Sequence, residues 1–156
     1  MVDARELVRS LRRKELRCRT GVLSLATVAL GSESEIAAAL GVEHLDYGDR
    51  LKALVPADSK FVNLDLSRLV EDLDSLANAR TGESCVLVAN FDLAVARLKT
   101  DEARALWQSL LTDFPYRTRA LLFCVPGHAE ASFCFPDSRI LALWRESGRF
   151  SEWNQG

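Results

Sequence analysis

The stretch Cys85–Asp92, which reads CVLVANFD, decides the fold class. Its first five residues are apolar without interruption, and polar residues then follow at Asn90 and Asp92. A short apolar run without alternation is typical of a strand that is buried on both faces. Such strands occur in parallel sheets whose two faces are covered by helices. We therefore predict that Cys85–Ala89 is a central strand of a parallel sheet.

Other apolar runs alternate with helical patterns along the whole chain. We predict strands at Val22–Leu30, Val42–Tyr47, Lys60–Leu64, Thr118–Val125 and Ala131–Phe135. We predict helices at Asp3–Arg17, Ile36–Leu40, Arg50–Val55, Leu66–Ala77, Thr100–Phe114 and Ser138–Ser147. Alternation of strands and helices favours an α/β fold with right-handed crossovers. The expected architecture is a mostly parallel sheet with helices on both faces.

The composition is that of an ordinary globular domain. The chain has 156 residues, of which 48% are hydrophobic and 27% are charged. This is too apolar for a disordered chain, and no apolar run reaches the roughly 18 residues that a membrane span needs. The opening residues, Val2–Glu6, do not resemble a secretory signal, and the four cysteines form no C-x-x-C pair. We expect a cytoplasmic protein with reduced thiols.

Charge is distributed unevenly between the beginning and the rest of the chain. Residues 1–20 hold seven basic and three acidic residues, a local charge of +4. The rest of the chain therefore carries a charge of −6, and the two sum to the net charge of −2. We predict a basic amphipathic helix in 1–20, a single α/β domain in 21–150 and a tail in 151–156. The helix has Leu7, Val8 and Leu11 on one face, and on the other it carries four arginines at i, i+4 spacing, which are Arg5, Arg9, Arg13 and Arg17.

Two interpretations of these arginines are open. They form a solvated helix face, or they contact an anion or nucleic acid, together with Arg117 and Arg119. An isoelectric point near 5.7 is far from that of a committed nucleic-acid binder. Nucleic-acid binding is therefore the alternative function rather than the first.

Ligands in α/β sheets collect beyond the carboxyl ends of the strands, and the sequence offers few reactive residues there. Gly31–Glu35 follows the first strand but lacks the G-x-x-x-x-G-K-[ST] spacing and any lysine. It places two carboxylates where phosphates would lie. Ser32 and Glu35 have the spacing of a helix capping box, which is the simpler interpretation.

The candidate strand-end site consists of Asp65, Asn90 and Asp92. Asn90 stands where nucleotide hydrolases carry an acidic residue near Mg²⁺, and an amide does not supply the negative charge. An enzyme with an unfamiliar site at Asp46, Asp65 and Asp92 is a further alternative. Because no nucleophile motif is present and His44 and His128 have no partner at ligand spacing, we expect no catalytic residue, cofactor or metal.

The C-terminal residues Phe150 and Trp153 follow Gly148 and have two interpretations. Aromatic side chains at a chain terminus either fold back onto the core or are offered to another protein. We name them as candidate partner contacts.

Three segments together resemble a known family. Phe61–Leu73, Cys85–Asp92 and Arg104–Gly127 resemble the second-strand, Walker B-like and sensor-strand segments of small P-loop NTPase-like proteins. The nearest of these is the small P-loop accessory subunit of BREX-type bacteriophage-defence systems. The resemblance covers about half of the chain. The first half departs from the family, because residues matching the Walker A motif are absent and Gly41–Ser59 is longer than the family spacing.

The resemblance implies a P-loop NTPase-like fold that is retained without ATP hydrolysis. Cys85–Ala89 would be the Walker B strand, with Asn90 or Asp92 at the acidic position, and Leu121–Val125 would be the sensor strand. The implied function is that of a non-catalytic adaptor. Its implied partner is a larger defence ATPase, methyltransferase or nuclease.

Overall fold

The computed structural model describes residues 3–13, 16–54, 65–80, 82–114, 118–127 and 135–153. Within these residues, five strands form one sheet in the order β2-β3-β4-β1-β5, and every neighbouring pair is parallel. The strands are β1 (Thr20–Leu25), β2 (Glu43–Asp46), β3 (Cys85–Ala89), β4 (Ala120–Pro126) and β5 (Phe150–Trp153). The predicted α/β class with a parallel sheet is confirmed.

Helices cover both faces of this sheet. They are α1 (Ala4–Arg12), α2 (Glu33–Leu40), α3 (Tyr47–Leu54), α4 (Leu66–Ala77), α5 (Phe91–Val95), α6 (Thr100–Gln108) and α7 (Ser138–Glu146). Alternate residues of β3 belong to different cores, since Cys85, Leu87 and Ala89 pack with α1 and α2. Val86 and Val88 pack with α3 to α7 on the other face. All five residues of β3 are buried, as the uninterrupted apolar run predicts.

The first strand is shorter than its apolar run. The prediction extended it to Leu30, but β1 ends at Leu25 and a 3-10 turn follows at Thr27–Ala29. Leu25 lies opposite Pro126, the last residue of β4. Because proline has no N–H to donate, the hydrogen-bond ladder ends there. The chain then leaves the sheet towards α2.

Helix patterns in the sequence identify the packed faces well. The apolar stripe of the predicted helix Thr100–Phe114 is entirely buried, and it continues past the end of α6 through a π-helical turn at Ser109–Asp113. Its members are Leu106, Trp107, Leu110, Leu111 and Phe114. Gly41 ends α2 in the left-handed conformation, with φ of 69°. The sequence predicts a strand over Val42–Tyr47, but Tyr47 already begins α3.

The basic leading helix is part of the same core rather than a separate segment. Its apolar residues Leu7, Val8 and Leu11 are buried against β1, β3 and β4. A Cβ on Gly21 would lie 3.0 Å from a methyl of Leu11, so glycine permits the close approach of α1 to β1. The helix ends at Arg12, not at Arg17, and Arg17 lies outside it.

Two arginines, Arg19 (buried) and Arg149 (half-buried), satisfy carbonyl groups at helix ends and in loops. Arg19 donates to the carbonyls of Leu11 (2.7 Å) and Thr118 (3.0 Å), and so closes the end of α1. Arg149 donates to the carbonyls of Leu111 (2.5 Å) and Cys18 (2.7 Å). Helix ends leave carbonyls without an intrahelical partner, and a forked guanidinium can serve one of these and a loop carbonyl at once. This role accounts for several of the chain's arginines.

The predicted C-terminal tail is wrong for its described part. Residues 150–153 form β5, which pairs with β1 in the register Val22 to Phe150 and Leu25 to Trp153. Phe150 is 1% exposed and Trp153 is 7% exposed. They pack in the core, so neither side chain is presented to a partner. The other interpretation of these aromatics, folding back, is the one that the structure has.

Several predictions fall outside the described residues. These are the strand at Lys60–Leu64, most of the strand at Ala131–Phe135, and the side chains of Arg117 and His128. Phe135 itself is described and buried. None of the helices in the described ranges has the length and apolar character that crossing a bilayer requires.

Candidate functional site

A cavity of about 450 Å³ opens at the carboxyl ends of the strands. Four strands contribute to it through Leu25 of β1, Asp46 of β2, Asn90 after β3, and Val125 and Pro126 of β4. The start of α2 closes another side. This is the edge at which parallel α/β sheets bind ligands, because the connections diverge there and leave a crevice.

Asp46 and Asn90 meet at the centre of this edge, although 44 positions separate them in sequence. The Asn90 side-chain amide donates to Asp46 Oδ1 at 2.9 Å, and the Gly48 amide donates to the same oxygen at 2.8 Å. The hydrogen bond from Asn90 holds the pKa of Asp46 below its ordinary value of 3.8, against the opposing effect of burial. Asn90 itself has φ of 60°, which asparagine tolerates better than most residues.

This pair predicts a pH-dependent effect of Asn90→Ala. We expect the substitution to lower the free energy of unfolding near neutral pH by about 1–2 kcal/mol, because it removes a hydrogen bond and puts alanine at a positive φ. Since the pKa of Asp46 is depressed in the fold, its contribution is present above pH 3.8 and is lost as the pH falls below that value. Urea unfolding between pH 2.5 and 6 measures this.

Asn90→Gly is the matched control, because glycine accepts the positive φ but makes no side-chain hydrogen bond. Both variants should show a weaker acid dependence than the unsubstituted chain, and only alanine should carry the backbone cost. An unchanged acid limb in both variants would contradict the assigned role of the Asn90 amide.

In the loop between β1 and α2, a backbone amide donates a hydrogen bond to a neighbouring carboxylate. Glu33 Oε1 accepts from the amide of Gly31 at 3.1 Å. The predicted capping box is wrong, because Ser32 is the N-cap residue but its side chain makes no capping hydrogen bond. Gly31 has φ of 93°, which turns the chain here and aims its amide at Glu33.

Acidic residues outnumber basic ones in the lining of the cavity. Glu33, Asp46 and Asp92 are acidic, and His44 is the basic residue among the described lining residues. Cys124 also lines the cavity, but burial raises the pKa of its thiol and the carboxylate of Glu33 raises it further. The thiol therefore stays protonated and is a poor nucleophile. The described residues contain no group of three or more His, Cys, Asp or Glu that could hold a metal ion.

The structure separates the predicted strand-end residues. Asn90 and Asp92 line the cavity together with Asp46, whereas Asp65 is not among its lining residues. Asp65 is exposed and caps α4 by accepting from the amide of Ser67 at 2.9 Å. The predicted trio of Asp65, Asn90 and Asp92 is thus not one site. The Asp46 and Asn90 pair was missed as a contact because only the register of β2 beside β3 brings the two together.

The basic residues named from the sequence also have different fates. Arg5 and Arg9 are exposed along α1, whereas Arg13, its extended C-cap residue, and Arg17 are exposed beyond its end. Arg119 is 5% exposed and pairs with Glu43 at 2.6 Å, so it is not available to a nucleic acid. The four-arginine ladder is therefore shortened, and the prediction for Arg119 is wrong.

Two comparisons with known proteins identify no relative of this chain. The scan against models of known protein families finds no match, and the search of the curated proteins finds no match either. The function must therefore be argued from the site itself.

Proposed function

We propose that this chain is a non-catalytic, P-loop-like adaptor that binds a larger protein. The place of the first loop supports the proposal, because β1 lies inside the parallel sheet, between β4 and β5, and a loop and the helix α2 follow it. In P-loop NTPases the loop after such a strand holds phosphate at a helix N-terminus. Here the corresponding loop is 26–32, between β1 and α2.

The observation that carries the proposal is the contact of Glu33 with the Gly31 amide. In a phosphate-binding loop, backbone amides face the anion, and a lysine adds positive charge. In this chain the Glu33 carboxylate accepts the hydrogen bond of a loop amide, and Asp46 and Asp92 line the same cavity. One like-charge contact at about 4 Å costs on the order of 4 kcal/mol, which is as much as a millimolar site provides.

The end of β3 supports the same conclusion. The resemblance puts Cys85–Ala89 at the Walker B strand, and the residue that follows it is Asn90. Its amide donates to Asp46 and so ties the two strand ends together. An amide committed to a structural hydrogen bond supplies no negative charge for Mg²⁺.

Isothermal titration with Mg·ATP tests the absence of nucleotide chemistry. We expect no saturable heat up to about 1 mM ATP and no phosphate release. Arg5→Gln/Arg9→Gln is the control, because it identifies weak ATP binding through the exposed arginines of α1 rather than the strand-end cavity. Micromolar binding with turnover that persists in this double variant would overturn the proposal.

The identity of the partner class comes from the resemblance to defence-system subunits. We propose a larger ATPase, methyltransferase or nuclease of a bacteriophage-defence complex. Isolation of the tagged chain from its native cell is expected to yield such a protein in stoichiometric amount. Recovery of the chain alone, under conditions that preserve other complexes, would contradict this assignment.

A further inference from the structure

A basic groove runs between α1 and α2 on one face of the sheet. It has a volume of about 260 Å³ and is lined by Arg5, Val8, Arg9, Arg12, Ala39 and Leu40. We call these six residues the α1–α2 groove. The groove is separate from the cavity at the carboxyl ends of the strands, the strand-end cavity. The end of α2 lines the groove, whereas the beginning of α2 lines the strand-end cavity.

Helix geometry brings three guanidinium groups to the rim of the groove. At 100° per residue, Arg5, Arg9 and Arg12 fall within an arc of about 60°, and at 1.5 Å per residue they span about 10 Å. Glu6 points about 100° away from Arg5 by the same count. The rim on α1 is therefore a row of like charges.

The three arginines differ in the hydrogen bonds that their side chains make within the molecule. Arg12 donates to the carbonyl of Gly41 at 2.5 Å and to Ser84 Oγ at 3.2 Å, and so it joins α1 to the end of α2. The side chains of Arg5 and Arg9 have no hydrogen-bond or ion-pair partner among the described residues, and both are exposed. Two forked donors next to a fixed one are suited to planar oxyanions such as carboxylates.

The floor of the groove distinguishes between kinds of anion. It is apolar, with Val8 and Leu40 buried and Ala39 exposed. A peptide can place an apolar side chain there while its carboxylates pair with the rim, whereas a phosphate backbone offers nothing to such a floor. The remainder of the chain is acidic, which opposes a polyanion that extends beyond the groove.

We infer that the α1–α2 groove docks an acidic segment of the partner protein, with carboxylates on Arg5 and Arg9 and an apolar side chain against Ala39. This inference rests on the proposed adaptor function and names its docking face and the chemistry of its partner. It does not depend on whether the strand-end cavity binds ATP.

Fluorescence anisotropy with the full chain tests the inference. The probe is a fluorescein-labelled peptide of glutamates with a leucine at every fourth position, at low salt. We expect Arg5→Gln/Arg9→Gln to weaken binding by at least about tenfold. The matched double variant Arg97→Gln/Arg139→Gln removes two exposed arginines elsewhere and should weaken it by less than about twofold.

A second pair of variants tests the floor. Ala39→Glu should weaken peptide binding as strongly as the arginine double variant, whereas Ala38→Glu, exposed on the same helix but outside the groove, should weaken it less. Equal losses in the matched variants, or no binding of the peptide, would overturn the inference. So would tighter binding of an oligothymidylate that competes with the peptide, which would assign the groove to nucleic acid. A negative result here leaves the ATP titration unaffected, so the two failures are distinguishable.

Discussion

Replacing both Phe150 and Trp153 with alanine is expected to lower the free energy of unfolding by about 6 kcal/mol or more, enough to unfold much of the protein. Each side chain is almost completely buried, and each large-to-small change in a core costs several kcal/mol through lost burial and a residual cavity. The two residues are also the first and the last residue of β5 that pair with β1. Chemical denaturation followed by circular dichroism measures the change.

The matched control is Val28→Ala/Leu143→Ala, which removes two apolar side chains that are 78% and 44% exposed. Surface changes of this kind usually alter stability by less than about 0.5 kcal/mol per site. If instead the Phe150 and Trp153 variant kept full stability and lost only partner binding, these residues would be a contact site, as the sequence had suggested.

Trp107→Ala is expected to cost about 3–5 kcal/mol of unfolding free energy. Trp107 is fully buried and stands at the centre of an aromatic cluster. Its ring stacks on Phe135 with centroids 4.4 Å apart, and meets Phe91, Phe123 and Trp144 edge to face at 5.7, 6.0 and 5.9 Å. Such pairs contribute beyond the burial of area alone.

Trp107→Phe separates the contribution of the cluster from that of the indole's size. We expect it to cost clearly less than alanine, because an aromatic ring remains to meet its neighbours. Urea denaturation with equal slopes for the two variants would make the comparison valid. A cost below about 1 kcal/mol for Trp107→Ala would show that the cluster is not the core of this face.

Local patterns in the sequence predict the elements that are regular and long. The run Cys85–Ala89 identifies β3, and the helical stripe from Leu106 to Phe114 identifies the buried side of α6 and of the π-helical turn after it, because both signals are local. Gly41 as a helix end follows from its freedom to adopt positive φ. These features require no knowledge of distant contacts.

Short elements and contacts between residues far apart in sequence cannot be predicted from local patterns. The strand β5 has four residues with Glu152 among them, and it is recognisable only beside β1. The helix α5 has five residues, and it begins after Asn90 in a conformation that sequence patterns do not encode. Arg149 donates to a carbonyl 131 positions away, so its structural role depends on the assembled fold.

The candidate site was predictable in part. The position after a buried strand indicates Asn90 and Asp92 as residues of the ligand-binding edge, but it does not indicate the contact of Asn90 with Asp46. The carboxylates of Gly31–Glu35 indicate a loop that repels phosphate. The exact contact, Glu33 to the Gly31 amide, could not be predicted, because Ser32 and Glu35 offered a competing capping pattern of correct spacing. Asp65 was grouped with the site because a cap and a strand end look alike in sequence.

A titration of the isotopically labelled chain with Mg·ATP, followed by amide NMR, tests the central claim most directly. The claim is that Glu33 occupies the loop where a nucleotide hydrolase would hold phosphate. We predict that the amide resonances of Gly31, Ser32 and Asn90 do not shift up to about 1 mM nucleotide. A saturable shift of these three amides at micromolar Mg·ATP would contradict the account.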